Sequence, residues 1–406
     1  MPQMADALKR RLGLGLLTAY GVGVMVGAGI YVLVGTVVGH AGVWAPLAFV
    51  LAGLVALFSA LSYAEFATRL PEAAGQAAYI ERGFSSRDLG VFAGLAIALT
   101  GVISAAAVLR GGVGYLMAFV GWPEPWLIAG IGVALTVVAV VGVLESMALI
   151  AVLTVVEVAG LLAVVAAGFL APPGPDWISL ADLPAPPLAG IAAAISLSVF
   201  AFIGFEDLTN MAEEAKEPER VMPKAILLAL AITAALYLLV SLAAVRVAPH
   251  EALRTSAQPV ALIWERATGT SAAFLSAIAV AAALNGVLAQ IVMASRVLFG
   301  LGRRTPVLSA FAQSHPRFGT PVRATVLVGA AVVGAALVLP VETLAETTAI
   351  VLLSVFVLVN AALIRLHRLE TDAPFRVAAW VPWAGLLTAL AALAAALFAI
   401  LGGESA

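Results

Sequence analysis

Three carboxylates stand where carboxylates are costly. Glu157 lies inside the run LTVVEVAGL, and Glu206 and Asp207 close the run FAFIGFED. A charged side chain at the centre of a bilayer costs about 2.5–3.5 kcal/mol on insertion scales, so such residues mark ion or substrate pathways by default. A second group is glycine: Gly21, Gly23, Gly27 and Gly29 fall within GVGVMVGAGI. Glycine weakens a helix interior by about 1 kcal/mol relative to alanine and lets the backbone unwind. Unwinding frees N–H groups at one half-helix end, which attract a carboxylate. It also frees carbonyls at the other end, which attract an ammonium or a cation. A zwitterionic amino acid needs both features side by side. Glycine also lets membrane helices approach closely, and Gly23 or Gly27 alone reads as packing. The cluster together with the acid-ended run reads as binding. A phosphate loop is excluded, because no strand precedes these glycines and their spacing is not G-x-G-x-x-G.

The elements that must position these groups are membrane helices. Of 406 residues, 63% are hydrophobic and 11% charged, against about 45–50% and about 25% in a soluble domain. About 20 apolar residues span the hydrocarbon layer. Such stretches run near 14–38, 43–68, 88–119, 126–144, 148–171, 189–212, 223–247, 271–300, 322–340, 342–364 and 378–402. The break at Glu145-Ser146 is the least sharply marked. Strand-like alternation is absent, so the spans are helices. Lys9, Arg10 and Arg11 precede the first span without a cleavage site behind it, so that span is expected to remain.

With the N-terminus placed in the cytoplasm, seventeen of the 21 basic residues fall on that side; only Arg110, Arg246, Arg254 and Arg266 fall on the other. This is the asymmetry of the positive-inside rule. Residues 69–87 read as a cytoplasmic link, 172–188 as an outer loop, and 248–270 as an outer segment with a short surface helix. The two weakened spans, the first and the sixth, lie five apart. Five is odd, so a second five-span unit enters from the opposite side, which describes an inverted repeat. The expected fold is an all-α integral membrane protein with a 5+5 inverted repeat, discontinuous helices 1 and 6 and one extra C-terminal span. A single transmembrane domain covers 1–406, with repeat one at about 14–171, repeat two at about 189–364 and the extra span at about 378–402.

At these residues the chain resembles the amino acid–polyamine–organocation (APC) superfamily of permeases, in particular its cationic amino acid transporter-like branch. The stretches that carry the likeness are GVGVMVGAGIYVLVG (21–35), VFAFIGFEDLTNMAEEAKEPERVMPKAI (199–226) and NGVLAQIVMASRVLFGLGRR (285–304). The resemblance implies the LeuT-type fold, with a substrate site between spans 1, 3, 6, 8 and 10. It makes Ala28 and Gly29 backbone donors to a substrate carboxylate. Carbonyls of Met25, Phe200, Ala201 and Ile203 would receive the ammonium, Phe200 would close over the ligand, and Glu206 would lie just below. Gly23, Gly27 and Gly204 would allow the unwinding. Some relatives carry a lysine near Glu157 that takes the place of a sodium ion. A buried glutamate there is expected to take up and release a proton, to help hold a cation, or simply to be satisfied by a neighbouring helix.

Further expectations concern single polar residues. Arg110 is expected to snorkel or to pair with an acid such as Glu342. Asn285 and Gln290 are expected to join helices or to line the site, with the helix contact preferred. The acids Glu213, Glu214, Glu217 and Glu219, with Lys216, Arg220 and Lys224, read alone as a solvated face; the family resemblance implies a gating salt-bridge role for them, with Arg69 as a partner. His40, His250, His315 and His367 are scattered and read as loop residues rather than ligands.

The implied function is secondary active amino acid transport in the cell membrane by alternating access, coupled to a proton or a sodium ion or run as exchange. A polyamine or organocation cargo and a non-transporting amino acid sensor are the alternatives. A membrane enzyme would need a catalytic cluster that the sequence lacks, and a channel would need repeated filter elements. Net charge −2 speaks against a nucleic-acid partner, and the absence of cysteine excludes disulfides and a disulfide-tethered subunit. No metal or cofactor is expected.

Overall fold

The computed structural model describes residues 12–70, 75–141, 147–178, 182–370 and 372–401. Lys9, Arg10, Arg11, Glu145 and Ser146 lie outside these residues. Fifteen α-helices make up the described chain: α1 (Leu14–Ala28), α2 (Ile30–Ala41), α3 (Ala45–Arg69), α4 (Gly75–Phe84), α5 (Arg87–Leu116), α6 (Glu124–Val141), α7 (Met147–Leu170), α8 (Leu188–Ala201), α9 (Pro218–Val247), α10 (His250–Thr255), α11 (Pro259–Thr268), α12 (Ala273–Arg304), α13 (Val322–Val338), α14 (Val341–Leu369) and α15 (Val381–Leu401). Three 3₁₀ segments, Gly42–Trp44, Asp207–Glu214 and Pro306–Phe311, complete the secondary structure used below.

Among the described residues, eight stretches are long and apolar enough to cross a membrane. The first joins α2 and α3 as Ile30–Arg69, and three shorter apolar helices accompany them. Two of the short ones, α1 and α8, are half-length because the sequence interrupts them where the glycines and acids lie. Each of the eleven stretches read from the sequence coincides with a helix or an interrupted pair.

Charge and proline mark the ends. Ser86 caps α5, its Oγ accepting from Leu89 N–H at 3.4 Å. Pro218 opens α9 in its first turn, where a missing N–H costs nothing. Helix α9 therefore begins earlier than residue 223, and Pro223 lies inside it. At 30 residues, α5 and α9 are each about 45 Å long, exceeding the hydrocarbon layer and requiring tilt. The 69–87 link contains a helix of its own, α4, whose amphipathic face buries Tyr79 and Ile80. The 248–270 segment holds two short helices, α10 and α11, rather than one.

The packing is paired. Helix α3 lies along α9, α5 along α12, α6 along α13, and α2 along α8. Helix α4 rests on α5 and α14, while α10 and α11 rest on α2 and α7. Several expected partners are corrected. Arg110 binds Glu124 at 3.1 Å and donates to the carbonyls of Ala336 and Leu339; it does not pair with Glu342, which instead meets His40 Nε2 at 2.5 Å. Glu124 is nearer because α6 opens with it directly after the turn from α5. Among the described residues Arg69 engages Glu65 and Glu370 and forms no ion pair with Glu214, Glu217 or Glu219, while the side chain of Glu213 lies outside the described residues. His367 lies in α14 and not in a loop, and contacts both oxygens of the fully buried Glu65 at 2.9 Å.

Candidate functional site

The first interruption is a single residue. Helix α1 closes at Ala28, Gly29 stands between the helices, and α2 restarts at Ile30. The Gly29 carbonyl accepts from Leu33 N–H at 2.9 Å. The second is longer. After Ala201 the chain turns through Phe202 to Glu206, with Gly204 at φ 127°, before the 3₁₀ segment from Asp207. A residue with a Cβ rarely adopts that φ, so glycine is required there.

The two interruptions touch. A Cβ added to Gly29 would collide with the backbone of Ala201, and one added to Gly204 would fall 3.1 Å from Met25 N. Tyr237, fully buried on α9, ties them together: its hydroxyl lies 2.7 Å from the Met25 carbonyl and 2.8 Å from the Ala201 carbonyl. One hydroxyl proton cannot fully satisfy both acceptors. The Phe200 carbonyl is already engaged by Ile203 N–H at 3.0 Å. Met25, Gly29, Ala201 and Gly204 are thus neighbours, while the Phe200 carbonyl is held within its own turn. Phe200 is buried. Ala28 closes α1, and its side chain lies outside the described residues.

On the side leading towards α4 lies a cleft bounded by Gln76, Thr100, Ile203, Glu206, Asp207 and Gln290. Its open space has room for a water rather than an amino acid. Glu206 Oε2 accepts from Gly204 N–H at 3.0 Å, which folds the carboxylate back over the unwound turn. Asp207 Oδ2 accepts from Gln290 Nε2 at 3.2 Å. Gln290 thus belongs to this cleft as well as joining two helices. Asp207, Gln290, Gln76 and Thr100 were absent from the sequence-based site. Asp207 had a signal, being the second acid of FAFIGFED. Gln290 had one too, as a polar residue in the eighth span, whereas Gln76 and Thr100 are brought in by α4 and α5. Asn285 is half-buried on α12 and does not line the cleft.

Glu157 lies apart from the cleft. It is 3% exposed on α7, and its Oε2 has no hydrogen-bond partner among the described residues. Helix α7 runs against α1 because Gly23 leaves room for Thr154. Gly27 has the Ala282 carbonyl of α12 at 3.4 Å from where its Cβ would be. Gly23 therefore serves close packing, whereas a Cβ at Gly27 would make an ordinary contact. The Glu157 carbonyl accepts from Tyr31 on α2 at 3.1 Å, and Tyr115 on α5 donates to the Tyr31 carbonyl at 2.6 Å. Among the described residues, no group of three or more histidines, aspartates and glutamates could hold a metal.

Two broken apolar helices back to back, with buried acids beneath them and long apolar helices around them, define a membrane permease. The amino acid permease family profile matches residues 12–404. Over 394 residues the chain is 30% identical to a branched-chain amino acid permease of Bacillus subtilis, covering 91% of this chain and 83% of that protein. It is 29% identical to a vacuolar cationic amino acid transporter of Arabidopsis thaliana, covering 90% of this chain and 64% of that protein. An uncharacterized transporter of Mycobacterium tuberculosis is 30% identical, with 94% and 85% covered. The chain thus spans less than two thirds of the plant cationic transporter's length. The chain belongs to the amino acid permease family of the APC superfamily. Its work is amino acid transport across a membrane, and it is not an enzyme.

Proposed function

We propose that this permease is a secondary active transporter that carries an L-amino acid by alternating access. Its cargo would sit where α1 meets α2 and α8 ends. The observation that carries the reading is the pair of carbonyls, Met25 and Ala201, that converge on the single Tyr237 hydroxyl. Acceptors in excess of donors suit an α-ammonium, which brings three. On this reading Ala28 and Gly29 hold the carboxylate, Ile203 and Glu206 form the floor, and Phe200 closes over the ligand. Glu157 is the coupling residue. A charge there has no partner, so a proton or a cation is needed to offset it.

The LeuT-type arrangement has support in the packing. Spans 2, 3 and 4 each lie against the span five later, as α3 with α9, α5 with α12 and α6 with α13; spans 1 and 6 meet through α2 and α8. That pattern fits a two-fold axis relating 14–171 to 189–364, with α15 as an eleventh span. The N-terminus lies in the cytoplasm and the protein in the cell membrane. A second reading, a polyamine or other organocation as cargo, is favoured by the two carboxylates of the cleft, Glu206 and Asp207.

Counterflow in proteoliposomes tests the proposal. Vesicles preloaded with leucine, alanine, arginine or putrescine should accumulate the matching labelled compound saturably. Leucine, alanine or arginine counterflow supports the amino acid reading, and putrescine alone supports the second. Binding without any counterflow would mean a sensor and would overturn the transporter reading.

A further inference from the structure

Helix α12 shows two faces. One is buried against α5, where Gly94, Gly101 and Gly112 receive Leu301, Ala294 and Ala283. The opposite face carries Phe274, Ala281, Leu288, Val292 and Phe299 at helical spacing, exposed or half-buried, with the half-buried Asn285 among them. On this same face, near the end of the helix, stand Arg296 and Arg303, both exposed.

These two arginines differ from their neighbours. Arg304 pairs with Glu81 at 3.0 Å, and Arg87 donates to the Arg304 carbonyl. Arg296 has no hydrogen-bond or ion-pair partner among the described residues, and Arg303 has only the Phe299 ring, 5.9 Å from its guanidinium carbon. Arg296 lies eight residues before the last residue of α12, roughly 12 Å up the helix axis. An unpaired guanidinium at that depth must reach towards the interface and find an anion there.

The surroundings fit an anionic headgroup. Arg296 and Arg303 are seven residues apart, about 10.5 Å along the axis, so their side chains can close on one phosphate from above and below. Between them Gly300 leaves open space where a Cβ would stand. Beneath, the Pro306–Phe311 segment folds back so that the Leu308 carbonyl packs against Gly302. Val307 on that segment, four residues after Arg303 in the chain, is an apolar side chain 89% exposed. That combination belongs at the boundary between headgroups and acyl chains.

We infer that this corner of α12 is a binding site for an anionic phospholipid. The guanidiniums of Arg296 and Arg303 hold its phosphodiester in bidentate fashion, while its chains lie along the Phe299, Val292 and Leu288 stripe. The site does not depend on the assignment of the transport substrate.

The test uses the full chain in nanodiscs with phosphatidylglycerol and phosphatidylcholine in equal amounts, with retained lipid counted by native mass spectrometry. The expected wild-type result is preferential retention of phosphatidylglycerol. Each arginine near an anionic surface contributes an approximately five-fold preference. Arg296→Gln and Arg303→Gln should each lose about that factor, and the double variant about 25-fold. The double Arg→Lys variant keeps the charge but not the bidentate fork, so it should retain only part of the preference. Equal retention of both lipids by the wild-type protein overturns the proposal whether or not any variant folds. So does an unchanged preference in a double Gln variant that elutes as a single species. Millimolar inorganic phosphate should leave retention unaltered; displacement by it would show a free-anion site and overturn the lipid assignment.

Discussion

Replacing Tyr237 by phenylalanine removes one oxygen from the centre of the proposed site and little else. The ring packs against Phe49 and Phe202, with centroids 5.7 and 5.1 Å away, and phenylalanine keeps both contacts. The hydroxyl stands 2.7 and 2.8 Å from the carbonyls of Met25 and Ala201, and its loss leaves both without this donor in a dry interior. An unmet buried acceptor costs about 1–3 kcal/mol, so the empty variant should unfold several degrees below the parent. An α-ammonium seated between the same carbonyls would supply the missing donors. The penalty is then absent from the bound state, and the transported amino acid should bind about 5- to 150-fold more tightly to Tyr237→Phe. Thermal unfolding in detergent, with and without the amino acid that exchanges in counterflow, measures both quantities. A variant as stable as the parent when empty would refute the bridging role of the hydroxyl. A destabilised variant whose ligand-induced shift equals the parent's would refute the carbonyls as the ammonium's seat.

Other perturbations probe the remaining parts. Gly29→Ala would press its Cβ into the backbone of Ala201, forcing the interruptions apart at a cost of about 1–3 kcal/mol. Uptake should fall steeply, whereas Gly15→Ala, with nothing within 4 Å, should transport normally. Glu157→Gln should make uptake insensitive to pH between acidic and neutral buffers; full retention of the parent's proton dependence would exclude a coupling role. Glu65→Gln leaves Arg69 and His367 without the carboxylate that they meet at 2.8 and 2.9 Å, and should lower stability by about 3–5 kcal/mol as judged by thermal unfolding.

The helices were legible because apolar length and end charges are local properties. The interruptions were legible too, since glycine clustering and an acid-ended run leave their mark within ten residues. Partners far apart in the chain were not. Arg110 offered several acids, and only the turn into α6 decides for Glu124 over Glu342. Glu65 reads as an ordinary residue near a helix end, yet it is fully buried and binds Arg69, His367 and the Val377 N–H. Gln290 approaches Asp207 only because α5 and α12 pack so closely through small residues. Helix α4 escaped notice because its amphipathic ten residues are too short and polar to stand out beside membrane spans.

The central claim is that the amino acid sits against the broken ends of α1 and α8. The chain contains no cysteine, so a single introduced thiol reports one position without background. Ile203→Cys, 2% exposed in this state, is reached only as alternating access opens the cleft beneath those ends, and Val307→Cys, 89% exposed, serves as control. The rate of thiol labelling, measured with and without a saturating transported amino acid, is decisive. The account predicts protection at position 203 and none at 307. Labelling at 203 that ignores the amino acid, in a variant that still shows counterflow, would contradict it.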